Sequence, residues 1–277
     1  MAADPLRSAR TCLFVPGNRP DRFAKALASG ADAVVFDLED AVATQDKAAA
    51  RDAIARWAAD AAPLDRGRVV VRINEVASPA FVDDLRMLRA ASLFDTMCPK
   101  VESPATIRSV REGLPEARVL ALVESARGIA EVDAIAAAPG VARLVFGTLD
   151  FALDLDLDIA EQSDGLSFAA SRLAIASRMA GLPSPVAGVT AQIDDLGRLL
   201  ADLAWARRHG AGAKLCIHPR QVAPIHDALA PTAQAVDWAR RVLAADATSP
   251  GAARLDGRMI DRPVVLQAQR TLQRHGG

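Results

Sequence analysis

The apolar run Ala33–Phe36 stops in Asp37, Glu39 and Asp40, three carboxylates within four residues. Such groups repel one another and are costly in a dry core. Either the chain has surfaced into a solvated turn, or the carboxylates stand at the rim of a site that needs negative charge. The same kind of ending recurs. "RVVVRIN" closes on Arg72 and Asn74, and "TMCPKV" on Lys100 with Glu102 behind it. "VLALVES" gives Glu124, "RLVFGTLD" gives Asp150, "AKLCIHP" gives His218, and Arg19 follows the first run. One polar ending is ordinary, since strands must exit into water. Seven endings projected into one mouth make a site.

The residue types suggest a chemistry. Glu124 and Asp150 are hard oxygen ligands of the kind that suits Mg²⁺, which takes one or two protein carboxylates and keeps several waters. Arg72 supplies a planar fork for a substrate carboxylate or enolate oxygen. Asp37 and Glu39 can orient metal-bound waters. A metal and an arginine around a bidentate oxyacid stabilise an enolate, the intermediate of aldol-type C–C cleavage. A plainer reading stands beside each residue. Glu124 and Asp150 read equally as solvated or salt-bridged strand ends, and Arg72 as an ion pair with Asp37 or Glu39. His218, before Pro219, reads as a turn histidine. Lys100 reads as an ion-pair partner close to Glu102 rather than as a Schiff-base lysine.

Eight strand-length apolar runs must position these groups: 11–17, 33–39, 68–74, 96–101, 119–125, 143–150, 184–189 and 213–219. They are continuous rather than alternating, as in strands covered on both faces. Between them lie segments of helical spacing such as "DDLGRLLADLAWARRHG", which ends in the stop signal Gly210. Eight such alternations predict a closed (β/α)₈ barrel, with its active site at the C-terminal ends of the strands. A doubly wound open sheet is the alternative, but "FVPGNRPDRF" is not the Gly-rich first turn that such a sheet uses for phosphate. The barrel is expected over residues 1–230. Residues 231–277 are expected to form a helical extension and lid of the same domain, with a flexible "TSPG" stretch leading into a final helix.

Composition narrows the class. The chain has 277 residues, 51% of them hydrophobic, and a formal net charge of -1. That balance gives no support to nucleic-acid or polybasic membrane binding. The three cysteines, Cys12, Cys98 and Cys216, sit in apolar runs without ligand spacing. The start "MAADPLRSAR" has no apolar signal region, and no apolar stretch approaches the ~18 residues of a membrane span. These features predict a cytoplasmic protein.

The stretches "LFVPGNRPDRF", "ADAVVFDLEDAV", "VVRIN", "PKVES", "LVESARG", "FGTLDF", "KLCIHPRQV" and "GRMIDRP" together resemble the citrate lyase β-subunit-like proteins of the HpcH/HpaI aldolase superfamily. These include malyl-CoA and citramalyl-CoA lyases, and the resemblance covers nearly the whole chain. It implies a Mg²⁺-dependent C–C lyase acting on a short β-hydroxyacyl-CoA such as malyl-CoA or citramalyl-CoA. The alternatives are a citrate lyase β subunit acting on an acyl-carrier thioester and a CoA-independent pyruvate aldolase. By the same resemblance Glu124 and Asp150 hold the metal, with Glu124 also at the substrate, and Arg72 binds substrate oxygens. Phe14, Arg19 and Lys25 hold the CoA portion, and Ile217 and His218 contact the thioester. Asp261 is the acid/base that a tail delivers into a neighbouring subunit, which implies an oligomer, expected to be a homotrimer. One departure is Ala187-Gly188 after strand seven, where many relatives carry Asp-Gly.

Overall fold

Valine-rich runs with few breakers build the strands, and all eight pair in chain order. The computed structural model describes residues 5–159, 164–248 and 253–275. The strands are β1 (Thr11–Pro16), β2 (Ala33–Asp37), β3 (Val69–Arg72), β4 (Asp95–Cys98), β5 (Arg118–Val123), β6 (Val141–Phe146), β7 (Val186–Ala187) and β8 (Ala213–Cys216). They form a closed parallel barrel in that order, and β8 returns to β1 through pairs such as Cys12 with Leu215. The (β/α)₈ expectation is met. Only β7 is much shorter than its run. Pro185 just before it has no N–H to give to a ladder.

Alternation along the strands decides what faces the axis. One buried cluster takes Cys12, Val35, Val70, Met97, Leu122, Val145, Val186 and Leu215, a residue from each of the eight strands. A set that touches every strand fills the barrel interior. Two residues further along the chain, the same parity gives Phe14, Asp37, Arg72, Glu124, Gly147 and Ile217. All of these fall at the C-terminal mouth. The opposite end is plugged by the short helix Pro5–Ser8 and buried Arg143, which donates to the carbonyls of Leu6, Ala9 and Ser184 at 2.7–3.0 Å.

Lys214 has the other parity and leaves β8 away from the axis, with 2% of its surface exposed. Its Nζ donates to the Gly188 carbonyl at 2.7 Å. Burial pushes its pKa down to about 8. Asp202 and Cys216 pull it back up, and Arg198 pushes it further down. The unfolded chain therefore keeps a proton that the folded chain gives up between about 8 and the ordinary 10.5. Stability is then gained as pH rises through that window and lost as it falls again. Relative to Lys214→Met, the wild type should gain up to about 3 kcal/mol across the window. Urea unfolding of both proteins at its two ends checks this, and a constant difference would refute it.

The chain divides into two compact units, Met1–Ile225 and His226–Gly277. The second unit holds the helix Ala233–Thr248, strands β9 (Ala253–Leu255) and β10 (Arg258–Ile260), and the helix Arg262–His275. Ala239, Val242, Ile260 and Ala268 form its core. The hairpin was not expected. Its signal was the pair Asp256-Gly257, with φ of 49° and 76°, the left-handed values that a tight two-residue hairpin turn needs. Arg241 clamps Asp256 at 2.6 Å. Of the expected flexible stretch, residues 249–251 lie outside the described residues. Among the described residues no helix is long and apolar enough to cross a membrane.

Candidate active site

The barrel mouth is organised around two carboxylate-bearing turns. After β2 the chain folds over the Asp37 side chain, which accepts from the N–H of Glu39 at 3.0 Å and of Ala41 at 3.1 Å. Arg72 at the end of β3 donates to both Asp37 oxygens at 2.6 Å through Nε and Nη2. Its Nη1 lies 2.9 Å from Glu39 Oε2, and its Cζ lies 4.8 Å from the Phe14 ring centre. Burial works against the guanidinium charge, but the bonds to Asp37 and the charges of Asp37 and Glu39 outweigh it. Arg72 therefore stays cationic and fixed. Glu39 is pushed by burial up to about 7, with Arg72 opposing and Asp40 adding. Asp37 and Glu39 are buried while Asp40 is exposed. The "DLED" stretch is thus held inside the barrel mouth by Arg72 and is not a solvated turn.

Glu124 follows β5 and is 6% exposed. Its Oε1 accepts from the Lys100 N–H at 2.8 Å. Lys100 presents that N–H from a left-handed backbone, φ 50°, which a non-glycine residue adopts at a cost. On the other side, a Cβ at Gly147 would come within 2.4 Å of Glu124 Oε2. Glycine at 147 is what lets the carboxylate lie flat against β6. Burial pushes Glu124 up to about 8. The Lys100 N–H and Arg72 work against that shift, while Asp150 and Glu39 add to it.

Asp150 is not a strand end, as the sequence suggested. It is exposed in the first turn of the helix Thr148–Asp154, from where its charge acts on Glu124. The run "RLVFGTLD" reads as one apolar stretch, but Gly147 ends the strand and caps the helix.

Lys100 pairs with Glu39 at 3.5 Å and with Glu75 at 3.6 Å. Its expected neighbour Glu102 instead accepts from Ser125 Oγ at 2.7 Å. Ser125 caps the next helix by accepting from the Gly128 N–H at 3.1 Å. Asn74 is also displaced from the rim. It is buried and donates through Nδ2 to Asp84 at 2.7 Å, while its Oδ1 accepts from Lys47 Nζ at 2.5 Å. Lys47 in turn donates to the carbonyls of Leu38 and Glu39, and Arg51 donates to Asp84 at 3.1 Å. This chain of bonds holds the β2 turn, and only the fold reveals it, because its members lie in four separate segments. Asp84 is completely buried. Asp84→Ala would strand several buried donors and should cost about 3 kcal/mol, read as a lowered urea midpoint.

The remaining expected contacts are dispersed. Phe14 lines the mouth. Arg19 is paired with Asp21 at 2.7 Å, and Lys25 is exposed on the helix Phe23–Leu27. His218 Nδ1 accepts from the Arg220 N–H at 3.2 Å and caps a turn. Ile217 is 36% exposed. In the second unit, Asp261 is exposed and caps its helix by accepting from the Val264 N–H at 3.2 Å. Thus Phe14, Asp37, Glu39 and Arg72 meet, Glu124 feels the charges of Arg72, Glu39 and Asp150, and Arg19, Lys25, Ile217 and His218 lie in the segments that follow β1 and β8.

The donor set at Glu124 and Asp150 is all oxygen. Among the described residues no three His, Cys, Asp or Glu side chains form a metal cluster. Glu124, raised by burial with Asp150 and Glu39 adding, is short of positive charge. Together with the exposed Asp150 carboxylate it suits a small hard dication that keeps its own waters. Gly147→Ala should displace the Glu124 carboxylate and weaken magnesium binding about 10–100-fold, measured by calorimetry.

The HpcH/HpaI aldolase/citrate lyase family matches residues 10–219, well over half of the chain. The chain belongs to that family. Family members similar to it include the citrate lyase subunit beta-like protein of Mycobacterium tuberculosis, 36% identical over 95% of this chain and 94% of that one. A (3S)-malyl-CoA thioesterase of Cereibacter sphaeroides is 30% identical over 95% and 93% of the two chains. Among solved structures, CitE of M. tuberculosis in complex with magnesium, acetoacetate and coenzyme A superposes with a TM-score of 0.87, at 36% identity over 98% of this chain and 100% of that chain. The full-length match includes the tail of this HpcH/HpaI-family chain as well as its barrel.

Proposed function

We propose that this protein is a magnesium-dependent carbon–carbon lyase of the aldol or Claisen type, acting on a short β-hydroxyacyl-CoA such as malyl-CoA or citramalyl-CoA. The observation that carries the reading is the cationic Arg72, clamped by Asp37 and Glu39, near a buried Glu124 that is short of positive charge and feels the Asp150 carboxylate. Magnesium, held by Glu124 and Asp150, would supply a Lewis acid for substrate oxygens. Arg72 is locked on one side by carboxylates and has N–H groups left for a substrate oxyanion. Asp37 and Glu39 keep its plane fixed. Phe14, Arg19, Lys25, Ile217 and His218 lie where the CoA portion and thioester would run. Cleavage breaks the Cα–Cβ bond, passes its electron pair to the thioester enolate, and releases the hydroxyl carbon as a carbonyl. We assign the acid/base role to Asp261, which takes the hydroxyl proton as the bond breaks and returns it to the enolate carbon.

Names of relatives support the substrate class, since one binds magnesium, acetoacetate and coenzyme A and another acts on malyl-CoA. Citrate lyase β subunits at 29% identity favour a second reading, an acyl-carrier thioester as substrate. The three cysteines are buried and free, as suits a reducing, cytoplasmic setting. A panel of malyl-CoA, citramalyl-CoA and citryl thioesters on CoA and on an acyl carrier, with magnesium or EDTA, tests the proposal. Glyoxylate or pyruvate should appear together with acetyl-CoA, and only with the metal. Cleavage of free hydroxy-oxoacids with no thioester turned over would refute it.

We further propose that residues 231–277 serve as a lid of the barrel domain and that Asp261 acts in a neighbouring subunit of a trimer. Mixed and reassembled Asp261→Ala and Glu124→Gln subunits, each inactive alone, should then regain part of the activity. Mixtures that stay dead while wild-type controls recover would exclude action in trans.

A further inference from the structure

Backbone pairing between β7 and β8 stops early. Val186 pairs with Ala213 and Ala187 with Lys214, and among the described residues no ladder pair follows. Yet β8 runs on to Cys216, and the turn beyond it carries Ile217 and His218. On its other side β8 stays paired with β1 as far as Cys216. The edge towards β7 is held by side chains instead. Lys214 Nζ donates to the Gly188 carbonyl at 2.7 Å, and Gln221 Nε2 donates to the Thr190 carbonyl at 3.0 Å.

Gln221 does more than close that gap. It lies in the turn Pro219–Gln221 and is 1% exposed. Its Oε1 accepts from the Ile217 N–H at 2.9 Å, so one side-chain amide grips both the β8 turn and the β7 loop. Its partners are a backbone N–H and a backbone carbonyl, whose roles are fixed, and this leaves a single way round for the amide group. Thr190 is a firm anchor. It is buried, and its Oγ1 donates to Asp202, which Arg198 Nε holds at 2.7 Å from within the helix Leu196–Arg208. With its N–H bound by Gln221, the Ile217 backbone cannot turn without leaving a buried amide oxygen unpaired.

We propose that Gln221 is a positioning residue for the thioester end of the site. It sets the spacing of the β7 and β8 loops, and so fixes where Ile217 and the His218 turn meet an acyl-CoA. This rests on the reading that those two residues run along the thioester. Gln221 acts through them and touches no substrate itself. Its effect should therefore fall on thioester affinity and spare the Glu124 and Asp150 carboxylates, which follow β5 and β6.

Gln221→Met keeps length and bulk and loses both side-chain hydrogen bonds. Calorimetry of the full-length variant should show acetyl-CoA binding weakened about tenfold, with magnesium affinity unchanged. A general loosening of the barrel would weaken both, and that result overturns the proposal. So does equal acetyl-CoA affinity in a folded variant, which leaves the thioester reading standing. A wild type that binds no acetyl-CoA removes the thioester reading, and the role of Gln221 with it. Native-state hydrogen exchange on the wild type decides the matter independently if the variant fails to fold. The Ile217 amide lies past the last residue of β8 and should still exchange as slowly as the amides of that strand. Exchange at the rate of an unbonded loop amide overturns the proposal.

Discussion

Glu124→Gln should leave a folded barrel that no longer takes up magnesium at concentrations that saturate the wild type, and that cleaves no thioester. The substitution keeps the volume and the hydrogen bond from the Lys100 N–H, because the glutamine carbonyl can still accept it at 2.8 Å. What it removes is the charge. Since Glu124 is buried beside Glu39 and within the field of Asp150, removing that charge should also relieve repulsion. The variant should therefore be as stable as the metal-free wild type, or more so. That combination, stability kept and metal lost, separates a ligand from a scaffold residue. Calorimetry with magnesium and a thermal melt in EDTA provide the two measurements. Wild-type metal affinity in the variant would remove Glu124 from the site. A collapse in stability would mean that the charge itself holds the fold together and that Glu124 is a scaffold residue.

Arg72→Lys should reduce kcat/KM by roughly a hundredfold or more, which corresponds to ~2–4 kcal/mol of lost transition-state stabilisation. The guanidinium bridges both Asp37 oxygens at 2.6 Å and reaches Glu39 at 2.9 Å while lying over the Phe14 ring. An ammonium has no plane to hold against two acceptors, so it can satisfy Asp37 or face a substrate oxyanion but not both in fixed geometry. Lysine retains the positive charge, and the loss should therefore fall mainly on kcat rather than on folding. Near wild-type turnover in Arg72→Lys would reduce Arg72 to the partner of its two carboxylates.

The barrel was legible because parallel strands covered on both faces leave continuous apolar runs, and eight of them in one chain admit few architectures. Asp37, Arg72 and Glu124 were legible for a related reason: they end such runs and share the parity of the interior residues before them. Asp150 was placed on the wrong element, because a glycine that ends a strand and opens a helix looks in sequence like one more strand residue. The Lys47–Asn74–Asp84–Arg51 network was invisible, since each member reads as an ordinary helix or loop polar residue until tertiary folding brings them together. The partner of Lys100 was misread for the same reason. Its side chain turns back across the mouth to Glu39 and Glu75 and not along the chain to Glu102. The Asp256-Gly257 hairpin was readable and was passed over in favour of the breakers around it.

The brevity of β7 has a mechanical consequence. One residue pair joins it to β6 and two join it to β8, whereas β5 and β6 share five. The ring of staves therefore has a seam at β7. In native-state hydrogen exchange, the backbone amides around Val186 and Ala187 should lose protection before those of β1, β2 and β5. Force or heat should open the barrel first along this line, on the side away from the Asp37–Arg72 clamp. The wall that holds the arginine can then stay closed while the far wall breathes.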